Sequence, residues 1–359
     1  MGGGEGPGPP VARPSSSYEG SPVIPAMDES VVLGIESTAH TASAGVVRRG
    51  PDGEFEVVSI RSSAWSPPRG GIHPREAAND HAEKLPGLIR GALEEARVAP
   101  RELSAVAFAQ GPGLGPCLRT GASAARALSA VAGVPLVGVN HCVAHLEVGR
   151  ALMGCEDPVL LYASGGNTQV IAYAAGRYRV FGETLDIGIG NMLDKYGRAA
   201  GLPFPSGPAL ERLARRGSRL LPLPYSVKGM DVAFSGMLTS ALQMRADGAA
   251  AEDLALSLQE VAFAMLVEVA ERAMAHVGRD ELLLGGGVAA NARLREMARL
   301  MAEGRGARAF VPEPRLCVDN GAMIAVLGAM MLAAGATTRL EDSAVRQRFR
   351  TDEVEVTWR

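Results

Sequence analysis

The sequence predicts an α/β protein of two lobes that share one duplicated plan. Residues 31–60 and residues 159–181 have the same order of short apolar strand, polar turn, return strand and third strand. Each segment is followed by alternating helical and strand patterns, as in a layered α/β fold. The length of 359 residues agrees with two lobes, because a single core stops growing at about 250–300 residues. We expect lobes at 27–157 and 158–338, with an active-site cleft between them.

The first lobe begins with three predicted strands. An apolar run at Val31–Glu36 ends in a polar turn and returns through Ser43–Val47, and a Pro-Asp-Gly turn leads into Phe55–Ile60. The later patterns predict, in order, a helix at 74–97, a strand at 105–109, a helix at 117–132, a strand at 136–139 and a helix that begins near residue 141.

The second lobe repeats this beginning with strands at Val159–Tyr162, Gln169–Tyr173 and Arg177–Phe181. The remaining patterns predict helices at 188–200, 206–216, 235–246, 252–277 and 289–303, strands at 281–284 and 309–311, and a final long helix after Asp319. The apolar run 320–336 is shorter than the roughly 20 apolar residues of a membrane span, so we expect a buried helix. The charged residues 339–359 are predicted to be a solvated tail.

The composition limits the classes of protein to which the chain can belong. A hydrophobic content of 47% and a charged content of 21% are typical of a globular protein. The net charge of −3 and the isoelectric point near 6.1 give no overall signature of nucleic-acid binding. An RNA partner would therefore need a local basic patch, such as Arg69 with Arg75 or the arginines of 346–350, or a partner subunit.

Targeting and redox features predict a cytoplasmic protein with no membrane attachment. Residues 1–26 are rich in Gly, Pro and Ser and lack the apolar stretch of a signal peptide, so we interpret them as a disordered extension. The four cysteines form no Cys-x-x-Cys pair, which favours reduced thiols over a disulfide framework or a zinc knuckle.

A pair of histidines one helical turn apart, His141 and His145, is the clearest candidate for metal binding. Positions i and i+4 place both imidazoles on one helix face. The zinc-protease pattern needs Glu directly after the first His, where this chain has Cys142. Tyr162 and Asp319 are candidates to complete the site, and two imidazoles with a carboxylate and a phenolate fit iron or zinc. Alternatively, the histidines are core residues, Tyr162 is a strand aromatic and Asp319 is a helix N-cap.

Three Gly-rich turns are candidates for phosphate binding: 111–116, 164–168 and 285–291. None matches the P-loop or the dinucleotide fingerprint, and a single Gly-Gly turn is often only a tight turn. The second and third turns follow strands at matching places, and the third also opens a helix, whose N-terminus attracts anions. Together they predict a nucleotide in the cleft.

A duplicated unit with polar turns between its first two strands resembles the actin/hexokinase/Hsp70 superfamily. In that plan Glu36 ends the first strand, where kinases of the superfamily usually carry Asp. We therefore consider Glu36 a candidate catalytic residue that positions a hydroxyl or a metal-bound water; the alternative is a simple strand-end charge. Asp186 and Asp194 flank a Gly-interrupted turn and either accept ribose hydroxyls or cap helices.

Seven ordered motifs also resemble one particular family, the universal tRNA threonylcarbamoyladenosine synthases, once described as sialoglycoprotein endopeptidases. The motifs span about residues 31–335, and the turn Ser37-Thr-Ala-His-Thr is similar to the archaeal and eukaryotic branch, the catalytic subunit of the KEOPS complex. The motifs are Gly34-Ile-Glu-Ser-Thr-Ala-His-Thr, Gly71-Ile-His-Pro-Arg-Glu-Ala-Ala, Gly111-Pro-Gly-Leu-Gly-Pro-Cys-Leu-Arg-Thr-Gly, Asn140-His-Cys-Val-Ala-His, Ser164-Gly-Gly-Asn-Thr-Gln, Val227-Lys-Gly-Met-Asp-Val-Ala-Phe-Ser-Gly and Gly285-Gly-Gly-Val-Ala-Ala-Asn.

The resemblance implies transfer of a threonylcarbamoyl group from threonylcarbamoyl-AMP to the N6 amine of adenosine 37 in tRNAs that read codons beginning with A. It implies one iron or zinc ion per chain, and partners that include tRNA, a small kinase/ATPase and a small dimerising subunit. It implies metal ligation by His141, His145, Tyr162 and Asp319. It implies nucleotide contacts by Tyr162, Ala163, Ser164, Gly165, Gly166, Asp194, Gly207, Glu211 and Asn291.

Two other functions remain open from the residues alone. A small-molecule kinase or acyl-phosphate enzyme of the same superfamily would need a Mg²⁺ site rather than a histidine pair. A nucleotide-binding scaffold of a larger complex would need no catalytic residues.

Overall fold

A computed structural model describes residues 29–67 and 71–359. The extension predicted at 1–26 and the basic candidate Arg69 lie outside the described residues.

The first lobe contains a five-stranded sheet in the order β3-β2-β1-β4-β5. The first three strands are antiparallel, and β4 and β5 run parallel to β1. The elements are β1 (Ser30–Glu36), β2 (Thr41–Arg49), β3 (Phe55–Ala64), α1 (Pro74–Ala96), β4 (Ala105–Gly111), α2 (Gly115–Ala132), β5 (Leu136–Asn140) and α3 (His141–Met153).

The second lobe repeats the same sheet in the order β12-β11-β6-β7-β8. The elements are β6 (Val159–Ala163), β7 (Thr168–Ala174), β8 (Arg177–Glu183), α4 (Ile189–Ala199), α5 (Gly207–Ala214), β9 (Val227–Lys228), β10 (Asp231–Val232), α6 (Ser235–Ala246), α7 (Ala251–Val277), β11 (Glu281–Gly285), α8 (Ala292–Gly304), β12 (Arg308–Phe310), α9 (Pro314–Cys317) and α10 (Gly321–Ala333).

The two sheets confirm the predicted duplication. Even the register irregularity between the second and third strands recurs, at Val46–Val47 and at Val170–Ile171. Most predicted elements lie within a few residues of the observed ones. The helix predicted at 289–303 begins later, at Ala292, because residues 287–290 form a 3-10 turn and Asn291 caps the helix. The division into lobes at residues 157 and 338 stays a prediction.

Helix α10 is the buried helix that the apolar run predicts, and it packs against the first sheet. Glycines allow the close approach: a Cβ on Gly34 would lie 2.1 Å from the carbonyl oxygen of Gly321, and a Cβ on Gly45 would lie 2.5 Å from the nitrogen of Ala322. The N–H of Gly321 donates to Ser43 Oγ of β2 at 3.0 Å. These contacts fix the start of α10, and with it Asp319, against the first lobe.

The prediction of a solvated tail is wrong, because residues 339–359, the C-terminal segment, pack along the protein. Phe349 and Val354 are buried. The Nε2 of Gln110 donates to the carbonyls of Asp342 and Ala344, both at 2.9 Å. Apolar residues alternate with polar and charged ones at 354–358, so one side of this extended stretch faces the protein and the other faces solvent.

The described residues contain no helix with the length and apolar character that crossing a bilayer requires. The four cysteines are buried and free, as the sequence predicts.

The close contact of α10 with β1 predicts opposite effects for two Gly→Ala substitutions. Gly34→Ala forces a methyl group into the backbone of α10 and is expected to cost about 1–3 kcal/mol or more of the free energy of unfolding. Gly87→Ala in helix α1 is the control, because its added Cβ meets no atom within 4 Å. This substitution is expected to raise the free energy of unfolding by about 0.5–1 kcal/mol. Urea unfolding measures the stability of both variants. Equal changes in the two would contradict the close packing of α10 on β1.

Candidate metal centre and nucleotide site

Asn140 places the histidine pair at the start of α3. Its side-chain oxygen accepts the N–H groups of Cys142 and Val143 at 3.0 and 3.1 Å, which is an N-cap. The helix therefore begins at His141, and His145 lies one turn further on. The side-chain amide of Asn140 also donates to the carbonyl of Phe349 at 3.0 Å. The C-terminal segment thus helps to hold the helix that carries the histidines.

The structure brings the four predicted metal ligands together. His145 Nε2 lies 3.3 Å and His141 Nε2 lies 3.5 Å from Asp319 Oδ1, and His141 Nε2 lies 3.0 Å from the hydroxyl of Tyr162. One donor atom from each of His141, His145 and Asp319 lies within 4.8 Å of the others. Both histidines and Tyr162 are almost fully buried. The alternative in which Asp319 caps α10 is wrong, because Asn320 is the cap.

Glu36 lies behind His141 and orients its ring. One carboxylate oxygen is 2.9 Å from His141 Nδ1, and the other accepts the N–H of Thr38 at 2.6 Å. A carboxylate on one imidazole nitrogen leaves the other nitrogen available for a metal ion, as in many metal sites. Glu36 is completely buried, and its carboxylate contacts only His141 and Thr38 among the described residues.

The ionisable groups of the cluster shift one another's pKa values strongly. Burial lowers the pKa of His145, so its imidazole is neutral and can act as a ligand at neutral pH. Burial also lowers the pKa of His141, but the nearby Tyr162, Glu36 and Asp319 raise it more, to well above its ordinary value. Burial raises the pKa of Asp319, but the two histidines outweigh this and hold it well below its ordinary range. Asp319 is therefore a carboxylate, and its charge is balanced by the neighbouring imidazoles.

The donor set fits a transition-metal ion rather than Mg²⁺. Two imidazole nitrogens, a carboxylate and a phenol converge, whereas Mg²⁺ prefers oxygen ligands and retained waters. His141, His145, Asp319 and Tyr162 are the residues that would hold the ion.

The Gly-Gly turn after β6 has the backbone geometry of an anion site. Backbone hydrogen bonds fix its ends: the N–H of Ser164 donates to the Asn167 carbonyl at 2.9 Å, and the N–H of Gly190 donates to the Ser164 carbonyl at 3.0 Å. Gly165 and Gly166 are exposed, and their N–H groups have no acceptor within the described part of the chain. Two free N–H groups in a turn are suited to a phosphate.

The other predicted nucleotide residues form a connected group on the second lobe. Asp194 accepts the N–H of Ser206 at 2.6 Å, next to Gly207 at the start of α5. Burial raises the pKa of the Asp194 carboxyl. Glu211 on α5 accepts the N–H of Ala292 at 3.3 Å, at the start of α8. Asn291 is adjacent, as the N-cap of α8.

Two further candidates for nucleotide binding, Asp186 and the loop at 111–116, make hydrogen bonds within the fold instead. Asp186 accepts the N–H groups of Phe234 and Ser235, both at 2.9 Å, and so caps α6 rather than being free for a ribose. In the Gly-rich loop after β4, the N–H of Gly113 donates to Gln347 and the N–H of Leu114 donates to Thr38, so these donors are not free for a phosphate. The capping alternative for Asp186 was the correct one.

Sequence reasoning missed the contributions of Thr38, Asn140 and the C-terminal segment. Asn140 directly before an amphipathic start is an N-cap signal that was available. The hydrogen bond between Asn140 and Phe349 joins residues 209 positions apart, and no local sequence pattern predicts it.

Comparison with known proteins identifies the family. The family model described as "TsaD: tRNA N6-adenosine threonylcarbamoyltransferase" matches residues 56–326. A protein named tRNA N6-adenosine threonylcarbamoyltransferase from Thermococcus kodakarensis is 54% identical over 329 residues, which cover 91% of this chain and 99% of that protein. The chain belongs to the tRNA N6-adenosine threonylcarbamoyltransferase family.

Other members of this family are longer. A probable bifunctional tRNA threonylcarbamoyladenosine biosynthesis protein from Methanosarcina mazei is 54% identical over 335 residues, and the match covers 92% of this chain but 60% of that protein. Among solved structures, HypF of T. kodakarensis superimposes with a TM-score of 0.63 at 16% identity, covering 88% of this chain and 49% of that chain. At this identity the likeness shows the shared two-lobed fold alone.

The set of candidate ligands predicts how substitutions in this chain change its metal content. His141→Ala and Asp319→Asn each remove a donor from a closed cluster, so we expect each purified variant to lose at least about tenfold in metal affinity. Elemental analysis after dialysis against a weak chelator measures this loss. His276→Ala, on the exposed face of α7, is the matched control and is expected to retain the ion. If the His141→Ala variant retains the metal content of the wild type, His141 is not a metal ligand and the proposed site is wrong.

Proposed function

We propose that this chain transfers the threonylcarbamoyl group from threonylcarbamoyl-AMP to the N6 amine of adenosine 37 in tRNAs that read codons beginning with A. Family membership supports the reaction class. The observation that carries the proposal is the adjacency of two sites along β6. Tyr162, in the metal cluster, stands two residues before Ser164, where the turn with free N–H groups begins.

In this reaction the amine nitrogen attacks the carbamoyl carbon. The bond between that carbon and the phosphate oxygen of the mixed anhydride breaks, AMP leaves, and the amine gives up one proton. The N–H groups of Gly165 and Gly166 would bind the AMP phosphate as its charge develops. Asp194, Gly207, Glu211 and Asn291 would hold the nucleoside part. Glu36 would keep His141 oriented, and we assign no residue as proton acceptor.

We propose one iron or zinc ion, held by His141, His145, Tyr162 and Asp319. When bound, it would supply Lewis acidity beside the phosphate turn. This nitrogen-containing set favours the transferase over a Mg²⁺-dependent kinase of the same fold.

We further propose that the chain works in the cytoplasm within a KEOPS-type complex, with a small kinase/ATPase and a small dimerising subunit. The isoelectric point near 6.1 supports the need for partners, because neutralisation of phosphates supplies most non-specific affinity for RNA. Weak, salt-sensitive binding of tRNA by the chain alone is expected, with tighter binding in the complex.

The reaction is tested by mass-spectrometric analysis of nucleosides from tRNA incubated with the chain, its partners and threonylcarbamoyl-AMP. We expect threonylcarbamoyladenosine at position 37 with the wild type. We expect at least about a hundredfold less with His141→Ala, because the metal cluster loses a ligand while the exposed surface is unchanged. Full product formation by His141→Ala would reject the metal-assisted mechanism. A wild-type complex that binds donor and tRNA without forming product would indicate a scaffold.

Helix α1 (Pro74–Ala96) is the proposed docking surface for a partner subunit, because one face covers the first sheet and the other is exposed. Glu83 and Arg90 lie exposed on it. The double charge reversal Glu83→Lys/Arg90→Glu is expected to weaken assembly in pull-down at least about tenfold while metal content stays unchanged. The matched reversal Glu296→Lys/Arg299→Glu on α8 of the second lobe should leave assembly intact. If only the α8 variant loses the partner, the docking surface lies elsewhere.

A further inference from the structure

A cavity of about 170 Å³ lies where the C-terminal segment meets the two lobes. Its walls include Cys142 of α3, Asn167 and Gln169 at the start of β7, and Arg348 and Phe349 of the C-terminal segment. The volume lies below the range of about 300–1,000 Å³ for sites of drug-sized ligands. The cavity therefore has the size for a single amino-acid group and not for a nucleotide.

One cation in the cavity wall is available for a ligand. Arg348 is exposed and makes no hydrogen bond or ion pair with any residue of 29–67 or 71–359. Its neighbour Arg350 is already paired with Asp352 at 2.9 Å. Glu183, the other acid in the wall, accepts the side-chain amide of Gln169 at 3.2 Å. A free guanidinium beside occupied acids is suited to a carboxylate, which it can bind with two parallel hydrogen bonds.

Gln169, in the cavity wall, carries an acceptor that lacks a donor. The Oε1 atom of Gln169 is buried and has no hydrogen-bond partner among the described residues. A buried acceptor left unpaired costs free energy, and a ligand N–H or O–H would remove that cost. Val180, Phe349 and Pro112 add apolar wall, against which a methyl group can pack.

The position of the cavity connects it to the two sites already described. Asn167 ends the turn in which Gly165 and Gly166 have free N–H groups, and its side-chain amide lies 3.7 Å from Cys142 Sγ. Cys142 directly follows the metal-site residue His141. In threonylcarbamoyl-AMP the threonyl group is joined to the phosphate through the carbamoyl group alone. A donor with its phosphate on the turn would therefore have its threonyl group beside the turn and α3.

We propose that this cavity receives the threonyl group of the donor, with Arg348 binding its carboxylate and Gln169 Oε1 accepting its N–H or hydroxyl. The inference rests on the proposed function and adds a specificity residue to it. It gives the C-terminal segment a role in recognising the substrate, in addition to its packing.

The test compares three ligands by calorimetry: a non-hydrolysable analogue of threonylcarbamoyl-AMP, the same analogue without the threonyl carboxylate, and AMP. Wild type is expected to bind the carboxylate-bearing analogue about 10–100-fold more tightly than the analogue without it, as for a charge-assisted hydrogen-bonded pair. Arg348→Gln is expected to bind the two equally, with AMP affinity unchanged. Arg348→Lys should restore part of the difference, because a point charge remains.

The control is Arg177→Gln, which removes an exposed arginine from the start of β8, outside the cavity, and should preserve the wild-type discrimination. Arg348 is exposed and unpaired, so its variants are expected to melt within a few degrees of wild type. If Arg348→Gln still distinguishes the two analogues, the inference is overturned and the proposed function stands. If wild type binds neither analogue better than AMP, the proposed function itself fails.

Discussion

The contact of Asp319 with His141 and His145 is the constraint on which the arrangement of the site depends. Two imidazoles from the first lobe meet a carboxylate that stands directly before α10. A carboxylate with little access to solvent is stabilised by a partner, and Asp319, whose side chain is 18% exposed, lies 3.3 and 3.5 Å from the two imidazole nitrogens. The glycine contacts between α10 and the first sheet hold the chain at that place, with Gly321 bonded to Ser43. Packing and electrostatics therefore support the same geometry.

The C-terminal segment stabilises this arrangement from the other side. Glu147 is completely buried on α3 and accepts hydrogen bonds from Tyr178 of the second lobe and, at 2.8 Å, from Trp358 Nε1. The guanidinium of Arg359 stacks 4.2 Å above the ring of Tyr173. The last residues thus connect the helix that carries the histidines to the second sheet. Contacts made by a segment far away in sequence link the candidate metal ligands to the sheet that carries the Gly-Gly turn.

The fold itself says little about chemistry. HypF shares the two-lobed architecture at 16% identity, and shared architecture does not imply shared function. What distinguishes this chain is the side chains at the strand ends: Glu36 is the last residue of β1, His141 directly follows β5, and Tyr162 lies near the end of β6. These are the carboxyl ends of strands with parallel partners, where open α/β sheets commonly place their ligands.

The sequence by itself determined the features that depend on near neighbours. Strand and helix periodicity predicted the duplicated sheets, and the i, i+4 spacing predicted that His141 and His145 share a face. Only the tertiary structure decided which distant groups become partners: Asp319 lies 174 residues from His145, and Phe349 lies 209 from Asn140. Local pattern could not show that the C-terminal segment packs, because its charges resemble those of a solvated tail. Its burial depends on a surface that exists only once both lobes have folded.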